Sequence, residues 1–298
     1  MSEETSVSVM HDLPTGQSRR RALGLALGAG AAAGIAVASA TTARAQAANE
    51  STFERIRSTK VLRVAVLPGE LPYFRKDLAS GEWSGFAIEM AKDIAKGLDA
   101  KLEYTESTYG NSVLELQSGK IDLAFALSAT PQRALVINFT RPVFSHPFGA
   151  IMRKGANVSA WADINKPEVK LAVDAGSANE TAARRFAPKA QIKTLKTRDE
   201  VMLEIASGRA DGTVIALILG LTAVAKNPNL GTYRILDKPR LAIPSCMGIR
   251  RETDLRWHDY LSTWVDYNRG IGQMREWFQI GLQLSGVKPE DLPVELDI

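Results

Sequence analysis

The alternation of apolar and polar positions predicts a chain in which strands and helices follow one another. Residues 61–67 (VLRVAVL) are almost wholly apolar, as a buried strand requires. Residues 86–98 carry apolar side chains at 86, 87, 90, 91, 94, 95 and 98, which is one face of a helix. Residues 101–104 predict a short strand, and residues 121–127 suit a strand buried on both faces. Because strands alternate with helices to about residue 240, we predict an α/β fold with mostly parallel sheet.

One short stretch of sequence occurs twice. LELQSGKID at 114–122 matches LEIASGRAD at 203–211 at Leu, Glu, Ser, Gly and Asp, with Lys against Arg. Each copy should end a helix, turn on Gly119 or Gly208, and enter an apolar strand, because glycine suits the position after a helix C-cap. The repetition predicts two similar lobes, and a chance match between common helix ends is the alternative.

The pattern changes after residue 245. Two amphipathic helices are predicted there, at about 253–267 and 270–284. Trp257, Trp264 and Trp277 lie in these segments and suit packing in a core or between lobes better than contact with a ligand.

The first 45 residues differ from the rest. Arg19 and Arg20 precede a stretch rich in Ala and Gly, and Ala43-Arg44-Ala45 follows it. A charged region, an apolar region and an A-x-A site predict a cleaved export signal, and the paired arginines resemble a twin-arginine signal. A membrane anchor is the alternative interpretation. We expect cleavage near Ala45 or Ala47, and a soluble periplasmic protein.

The overall composition is that of an ordinary globular protein. Of 298 residues, 45% are hydrophobic and 23% are charged, which is enough for one large domain or two lobes. The net charge of +4 is not gathered in a basic block, which argues against nucleic-acid binding. A single cysteine, Cys246, excludes an intrachain disulfide. His11, His146 and His258 are not spaced as metal ligands, so we expect no metal and no cofactor.

One arginine stands where a helix is predicted to begin. In residues 125–133 (FALSATPQR) an apolar strand ends, Thr130 and Pro131 suit the N-cap and first position of a helix, and Arg133 follows in the first turn. Cations are not favoured at a helix N-terminus, so this one needs another reason. Ser128, backbone N–H groups and the guanidinium could converge on one carboxylate beyond the end of a parallel strand. A solvated surface arginine is an equal alternative.

A second helix start shows a matching pattern. Residues 170–174 predict a strand, Gly176-Ser177 a tight turn, and residues 178–186 a helix. Glycine lets the backbone approach a ligand closely, and the start of the helix presents N–H donors. Two such helix starts on two lobes predict a ligand held between the lobes.

Several blocks of the sequence resemble one family. Within residues 53–285 they are VLRVAV, GEWSGFAIEMAKDIAKGL, LELQSGKIDLAFALSATPQRALVINFTRPVF, VKLAVDAGSANE, SGRAD and MGIRRETDLR. In order and spacing the chain is similar to the extracellular solute-binding proteins of family 3, the polar amino-acid receptors of ABC importers. The resemblance implies a type II periplasmic-binding-protein fold. Two α/β lobes with mostly parallel sheets are joined by two hinge strands and close over a ligand.

The resemblance also implies domain bounds and site residues. Residues 1–45 would be the signal, 46–148 the first part of lobe 1, 149–244 lobe 2, and 245–298 the segment that returns to lobe 1. Arg133 would hold the ligand's α-carboxylate. The expected ligand-binding residues are Arg133, Ser128, Gly176, Ser177, Tyr109, Tyr73, Ala126 and Glu70.

Four positions depart from the family pattern. Ala216 and Leu67 stand where amino-acid receptors carry carboxylates for the ligand's α-ammonium, Glu70 where an aromatic ring often stacks on the ligand, and Ala178 at a pocket threonine. A buried ammonium without its carboxylate would cost about 3–5 kcal/mol. We therefore expect a small carboxylate solute that is not a standard α-amino acid. Alternatively, Glu70 supplies the charge, or the alignment is displaced by one or two residues.

The expected function is that of a monomeric substrate-binding component of an ABC importer, not an enzyme, with an inner-membrane permease as its partner. Two alternatives share the scaffold. One is an enzyme that resembles cyclohexadienyl dehydratase, in which Glu180, near the Gly176 turn, would be the general acid. The other is a receptor that reports ligand to a signalling partner. Glu180 could equally be an ordinary first-turn helix carboxylate.

Overall fold

The computed structural model describes residues 50–288 and residue 292, and over them strands alternate with helices as predicted. The expected signal segment, with Arg19, Arg20 and the cleavage sites, lies outside the described residues. The strands are β1 (Val61–Val66), β2 (Arg75–Lys76), β3 (Trp83–Ser84), β4 (Lys101–Glu106), β5 (Leu123–Ser128), β6 (Ile137–Phe139), β7 (Phe144–Met152), β8 (Lys170–Asp174), β9 (Gln191–Leu195), β10 (Gly212–Ala216), β11 (Thr232–Ile235) and β12 (Ala242–Arg250). The helices are α1 (Thr52–Thr59), α2 (Phe86–Gly97), α3 (Tyr109–Gln117), α4 (Pro131–Ala134), α5 (Trp161–Ile164), α6 (Ala178–Phe186), α7 (Arg198–Ala206), α8 (Leu217–Lys226), α9 (Arg256–Gly270) and α10 (Gln273–Ser285), with a 3₁₀ turn at Pro228–Leu230.

The strands form two parallel halves with two long strands between them. β1 pairs in parallel with β4 and β5, and β8 pairs in parallel with β9 and β10. The nine-residue strands β7 and β12 are antiparallel to one another; β12 also pairs with β5 and β6, and β7 with β10 and β11. We call the half with β1, β4 and β5 the first lobe and the half with β8, β9 and β10 the second lobe. The predicted α/β fold is confirmed, and the exact lobe bounds stay a prediction.

Helix α2 buries the apolar face that its sequence pattern predicts. The apolar positions predicted to form one face are buried except for Leu98, which is half-buried. Helix α7 is fixed at its start by a capping box. Thr197 accepts the N–H of Glu200 at 3.3 Å, and Glu200 accepts the N–H of Thr197 at 3.1 Å. This cap places Arg198 in the first turn of α7.

The two C-terminal helices begin about three residues later than predicted. Glu252 and Asp254 lie before α9, where their carboxylates accept hydrogen bonds from Thr52 and Ser51 at the start of α1. The tryptophans pack as expected. The rings of Trp264 and Trp277 stack with centroids 5.4 Å apart.

The repeated sequence adopts the same turn in both lobes. Gly119 follows α3 with φ 70°, and Gly208 follows α7 with φ 76°. These are left-handed conformations, so the predicted glycine positions after the helix C-caps are confirmed.

The aspartate that ends each repeat ties one strand to its neighbour. Asp122 accepts the N–H of Arg63 in β1 at 2.7 Å, and Asp211 accepts the N–H of Lys170 in β8 at 2.9 Å. Asp122 has further partners, because Arg55 and Arg63 both form ion pairs with it. The equivalent positions therefore share a geometric role, and only the first also forms ion pairs with two arginines.

Within the described residues, no helix is both long enough and apolar enough to cross a membrane. The same residues contain no group of three or more His, Cys, Asp or Glu side chains suited to holding a metal ion.

We expect Asp122→Asn to destabilise the protein by about 3 kcal/mol, because Asp122 is 1% exposed and its loss leaves two guanidinium groups unpaired. The matched change Asp211→Asn should cost about 1 kcal/mol, since it weakens one hydrogen bond to a backbone N–H. Urea unfolding of both variants measures the difference. Equal losses would contradict the larger role assigned to Asp122.

Candidate functional site

The path of the backbone after β5 brings Arg133 to the meeting of the lobes. β5 ends at Ser128, and Thr130 caps α4 by accepting the N–H of Arg133 at 3.3 Å, with Pro131 at the first position. This is the local structure that the sequence predicts. Arg133 is 9% exposed, and its guanidinium donates to the carbonyl oxygens of Ser128 at 3.1 Å and Gly176 at 2.8 Å. The second of these bonds joins the two lobes.

No carboxylate among the described residues forms an ion pair with Arg133. Its recorded partners are the two carbonyl oxygens, which are uncharged. Burial lowers the pKa of the guanidinium below its usual 12.5, although Tyr109 and Asp174 act in the opposite direction. Two of its five N–H donors are used, so three are free. A buried cation of this kind is costly until an anion reaches it.

A small cavity lies beside Arg133. Its volume is about 20 Å³, roughly the room of one water molecule, so an organic ligand can enter only when the lobes separate. Among the described residues, no carboxylate lines this cavity. Most of the predicted site residues meet here; the cavity is lined by Tyr73, Tyr109, Ala126, Ser128, Arg133 and Ser177.

Two predicted site residues lie elsewhere. Gly176 reaches Arg133 through its carbonyl, while its N–H donates to Oε2 of Glu180 at 2.9 Å. The expected free N–H donor at this turn is therefore already engaged. Glu70 does not line the cavity around Arg133.

The backbone at Ala126 is strained. Its φ is 59°, in the left-handed region, and opposite it the pairing of β5 with β12 shifts register between Cys246 and Gly248. A non-glycine residue in this conformation costs roughly 1–2 kcal/mol, and such strain concentrates at functional sites. The irregularity lies two residues before Ser128, and Ala126 itself lines the cavity beside Arg133.

The backbones of the two lobes come close at a pair of glycines. Gly176 has φ 69°, and a Cβ built on it would lie 3.0 Å from the Cα of Gly110 at the start of α3. A side chain at Gly176 would hold the lobes apart. This is a physical reason for glycine in the turn that the sequence pattern had indicated.

Glu70 belongs to a buried network that crosses between the lobes. Nε of Arg198 donates to Oε1 of Glu70 at 3.1 Å, and the hydroxyl of Tyr109 donates to Oε2 at 3.0 Å. Nη2 of Arg198 donates to Oδ2 of Asp174 at 3.0 Å. Glu70 and Tyr109 come from the first lobe, and Arg198 and Asp174 from the second. The network therefore forms when the lobes are closed.

Burial and charge act in opposite directions on the pKa values of Glu70 and Arg198. Burial raises the pKa of Glu70 above its usual 4.5, although Arg198 lowers it. Burial alone would lower the pKa of Arg198, but Asp174 and Glu70 raise it above its ordinary value. Burial and the charge of Glu70 raise the pKa of Tyr109 well above 10, so its hydroxyl stays a donor. Arg198, unlike Arg133, faces two carboxylates.

The sequence analysis missed three residues at the site: Asp174, Asn179 and Arg198. Asn179 donates from Nδ2 to Oδ1 of Asp174 at 3.3 Å and accepts the N–H of Ala216 at 3.2 Å. The sequence contained a signal for Arg198. Like Arg133, it is a cation in the first turn of a helix, where cations are not favoured. Asp174, at the end of a buried strand, was a comparable signal.

The model for the bacterial extracellular solute-binding proteins, family 3, matches residues 62–279. The chain belongs to this family. The predicted family is thus confirmed, and with it the two-lobe type II periplasmic-binding-protein fold. A solved structure of an ancestral amino acid-binding protein, AncCDT-1, described as a precursor of cyclohexadienyl dehydratase, superposes with a TM-score of 0.68. It is 28% identical to this solute-binding protein, and the match covers 78% of this chain and 99% of that one.

Two curated relatives differ in activity. The glutamine-binding protein GlnH of an ABC transporter from Bacillus subtilis (strain 168) is 29% identical over 170 residues, 55% of this chain. A cyclohexadienyl dehydratase from Pseudomonas aeruginosa is 28% identical over 167 residues, also 55% of this chain. In each case the match spans 62% of the relative, which is less than two thirds of its length.

Glu180 of this solute-binding protein lacks the properties of a general acid. Its Oε2 accepts the N–H of Gly176, and its Oε1 accepts Nε of Arg184 at 2.9 Å. Partial burial raises its pKa, but these hydrogen bonds outweigh burial and leave the pKa below its usual 4.5. The side chain is therefore ionised at neutral pH and serves as a first-turn carboxylate of α6.

His146 is buried in β7 between two aromatic rings and lines the cavity beside Arg133. Its ring centroid lies 5.1 Å from that of Phe144 and 5.8 Å from that of Phe148. Burial lowers the pKa of His146 to about 4. The imidazole is therefore neutral at the pH at which the protein would work.

This burial should make the stability of the protein depend on pH. The pKa of a histidine is about 6.5 in an unfolded chain and about 4 for His146 in the folded protein. The contribution of His146 to the free energy of unfolding is therefore fully present above pH 6.5 and is lost as the pH falls toward 4. The loss should reach about 3 kcal/mol. His146→Leu should remove this part of the pH dependence, whereas His258→Leu should keep it, since His258 is half-exposed. Urea unfolding at about pH 7 and about pH 5 tests this. If the free energy of unfolding changed equally between these pH values in the wild type and in His146→Leu, the prediction would be refuted.

Proposed function

We propose that this protein is the substrate-binding component of an ABC importer and that its solute is a small carboxylate without a cationic group. One observation carries the proposal: Arg133 is a buried cation that forms no ion pair with a described residue, beside a cavity that no described carboxylate lines. A ligand carboxylate would supply the missing charge through two parallel hydrogen bonds from the guanidinium. The family and the name of the relative GlnH support the transport role.

The surroundings of the cavity argue against an α-ammonium on the ligand. Ala216 lines the cavity at the place where the family pattern has an acid. The nearby carboxylates of Glu70 and Asp174 are both held by Arg198. An ammonium would therefore be buried without a partner, at a cost of about 3–5 kcal/mol.

Binding would proceed by closure of the lobes. With the lobes apart, Arg133 and the Ser128 hydroxyl, which makes no hydrogen bond to a described residue, meet the carboxylate. Closure then brings Gly176 and Ser177 against the ligand and forms the ion pair between Glu70 and Arg198. In this proposal the lobes divide at 148/149 and 244/245, within β7 and β12.

The proposed route places the protein in the periplasm. The twin-arginine pattern at Arg19 and Arg20 would direct export, and cleavage near Ala45 or Ala47 would release the mature chain. There it would act as a monomer and deliver its solute to an inner-membrane permease.

One observation favours an enzyme instead, namely the similarity to a cyclohexadienyl dehydratase. Glu70 is a buried carboxylate whose pKa is raised by burial, but Arg198 and Tyr109 occupy both of its oxygens in the closed form. Mass spectrometry of a ligand recovered after incubation separates the two functions, because a binding protein returns it unchanged.

A thermal-shift panel of the mature protein tests the carboxylate proposal. It should contain oxo acids, hydroxy acids, unsubstituted carboxylic acids, amino acids and amines. A carboxylate present at about 100 times its dissociation constant should stabilise the wild type by about 2.7 kcal/mol, and Arg133→Met should abolish the response. Stabilisation by α-amino acids that survives in Arg133→Met would sink the proposal.

The unliganded stability of two variants tests the charge argument separately. Arg133→Met removes a buried cation that lacks a counter-ion, so it should leave stability unchanged or raise it. Arg198→Met leaves Glu70 and Asp174 unpaired and should cost about 3–5 kcal/mol. Chemical unfolding without ligand measures both, and a large loss in Arg133→Met would show that its charge is already compensated.

A further inference from the structure

Two carboxylates share one guanidinium where the lobes meet. Oε1 of Glu70 accepts Nε of Arg198 at 3.1 Å, and Oδ2 of Asp174 accepts Nη2 of Arg198 at 3.0 Å. All three residues are buried. When all are ionised, two negative charges face one positive charge, which gives the group a net charge of −1. A buried net charge is unfavourable, and one proton on one of the carboxylates removes it.

Only one of the two ion pairs depends on closure of the lobes. Asp174 and Arg198 both belong to the second lobe, so their ion pair can form whether the lobes are apart or together. Glu70 lies in the loop after β1, in the first lobe, and reaches Arg198 only across the cleft. Closure therefore brings a second carboxylate to a guanidinium that already has one.

The hydrogen bonds show which carboxylate can take the proton. Oδ1 of Asp174 accepts Nδ2 of Asn179 at 3.3 Å, and the orientation of this amide is fixed because its Oδ1 accepts the N–H of Ala216. Both oxygens of Asp174 thus face groups that only donate. Oε2 of Glu70 instead faces the hydroxyl of Tyr109 at 3.0 Å, and a hydroxyl accepts as well as donates. The proton therefore belongs on Oε2 of Glu70.

The hydroxyl of Tyr109 can adapt to this proton. When Oε2 of Glu70 donates to the phenol oxygen, the hydrogen of the phenol itself needs another acceptor. Tyr109 also lines a larger cavity between the lobes, whose volume is about 370 Å³ and which has room for several water molecules. Water there can accept this hydrogen, so that no buried donor loses its partner.

The pKa of Glu70 changes in the direction that this requires. Burial raises the pKa above its usual 4.5, Arg198 opposes the rise, and Asp174 adds to it. With the lobes apart, a carboxylate in water keeps its usual pKa. The closed form therefore binds the proton more tightly between pH 4.5 and the raised pKa. As the pH falls through this range closure is favoured, and below it both forms are protonated and nothing more is gained.

The other groups around Glu70 do not titrate in this range or are screened. Burial and the charge of Glu70 raise the pKa values of Tyr109 and Tyr73 above 10, so both hydroxyls stay protonated. Three exposed groups line the larger cavity, and solvent screens their charges: Glu106, Lys196 and Asp199.

Two groups at the smaller cavity act separately. Arg133 interacts with Asp174 at a distance, without an ion pair, and in the proposed function a solute carboxylate would engage its charge. Burial lowers the pKa of His146 to about 4. A histidine that closure buries opposes closure as the pH falls, so the contribution of Glu70 must be measured against a variant that keeps His146.

We propose that Glu70 takes up one proton from solvent when the lobes close, so that the cleft closes more readily as the pH falls from neutral toward about 5. In the closed form Oε2 carries the proton and donates to Tyr109, while Oε1 still accepts from Arg198. The buried group is then neutral. The inference goes beyond the proposed transport function, because it concerns closure with or without a solute. A solute that requires closure would be bound more tightly in acid.

Single-molecule FRET on the mature protein without ligand tests this proposal. Leu114→Cys on α3 and Leu203→Cys on α7 provide one labelling site in each lobe, because both leucines are 63% exposed. Cys246 is 2% exposed and stays unlabelled. Between about pH 7.5 and pH 5 the ratio of closed to open molecules should rise by up to about tenfold for each unit that the pH falls.

Three variants separate proton uptake from a simple ion pair. Glu70→Gln is neutral at every pH, so its closed fraction should be high and independent of pH. Asp174→Asn removes the second carboxylate, so Glu70 stays ionised and most of the pH dependence should disappear. Asp199→Asn is the matched change at an exposed carboxylate next to Arg198 in the chain, and it should keep the wild-type dependence.

The proposal is overturned if the closed fraction of the wild type does not change with pH, or if Glu70→Gln keeps the wild-type dependence. It is also overturned if Glu70→Gln opens the protein at about pH 7.5, as the loss of a simple ion pair would. If Glu70→Gln does not fold, the wild type and Asp174→Asn still decide the matter. Because no solute is present, failure of the carboxylate proposal would leave these outcomes unaffected.

Discussion

A buried guanidinium needs an anion or a full set of acceptors, and this chain meets that requirement differently at the two arginines where its lobes meet. Arg198 is held by Glu70 and Asp174, one from each lobe. Arg133 donates to two carbonyl oxygens and forms no ion pair with a described residue. The first charge is paired in the closed protein, and in the proposed function a ligand carboxylate would pair the second. Both side chains are as buried as core residues, so the difference lies in charge and not in exposure.

Polar contacts join the lobes at the cleft, and contacts of this kind suit a protein that opens and closes. The bond from Arg133 to Gly176 and the ion pair between Glu70 and Arg198 cross between the lobes, and Gly110 approaches Gly176 there. The strands β7 and β12 pass between the lobes and stay paired with one another. Closure is therefore able to respond to a ligand of modest size.

The departures from the family pattern form a coherent set once the structure is considered. Glu70, expected at the place of an aromatic residue, has its charge balanced by Arg198 from the other lobe. At Ala216, expected at the place of a carboxylate, Asn179 accepts the backbone N–H. The carboxylates near the cleft are thus turned toward Arg198 instead of toward the ligand. This rearrangement explains how a chain of this family could recognise an acid that lacks an amine.

The local sequence was sufficient to predict the helices and strands and the position of Arg133 at the start of a helix. Hydrophobic periodicity identified α2 and the buried strands, and capping chemistry placed Arg133 in the first turn of α4, because these patterns depend on neighbours within a few residues. The partners of Glu70 could not be found in this way. Glu70 and Arg198 are separated by 128 positions in the chain, and their contact exists because the lobes close on one another. Which arginine is neutralised, and which is free for a ligand, was decided by the tertiary structure, since electrostatic pairing depends on distance in space.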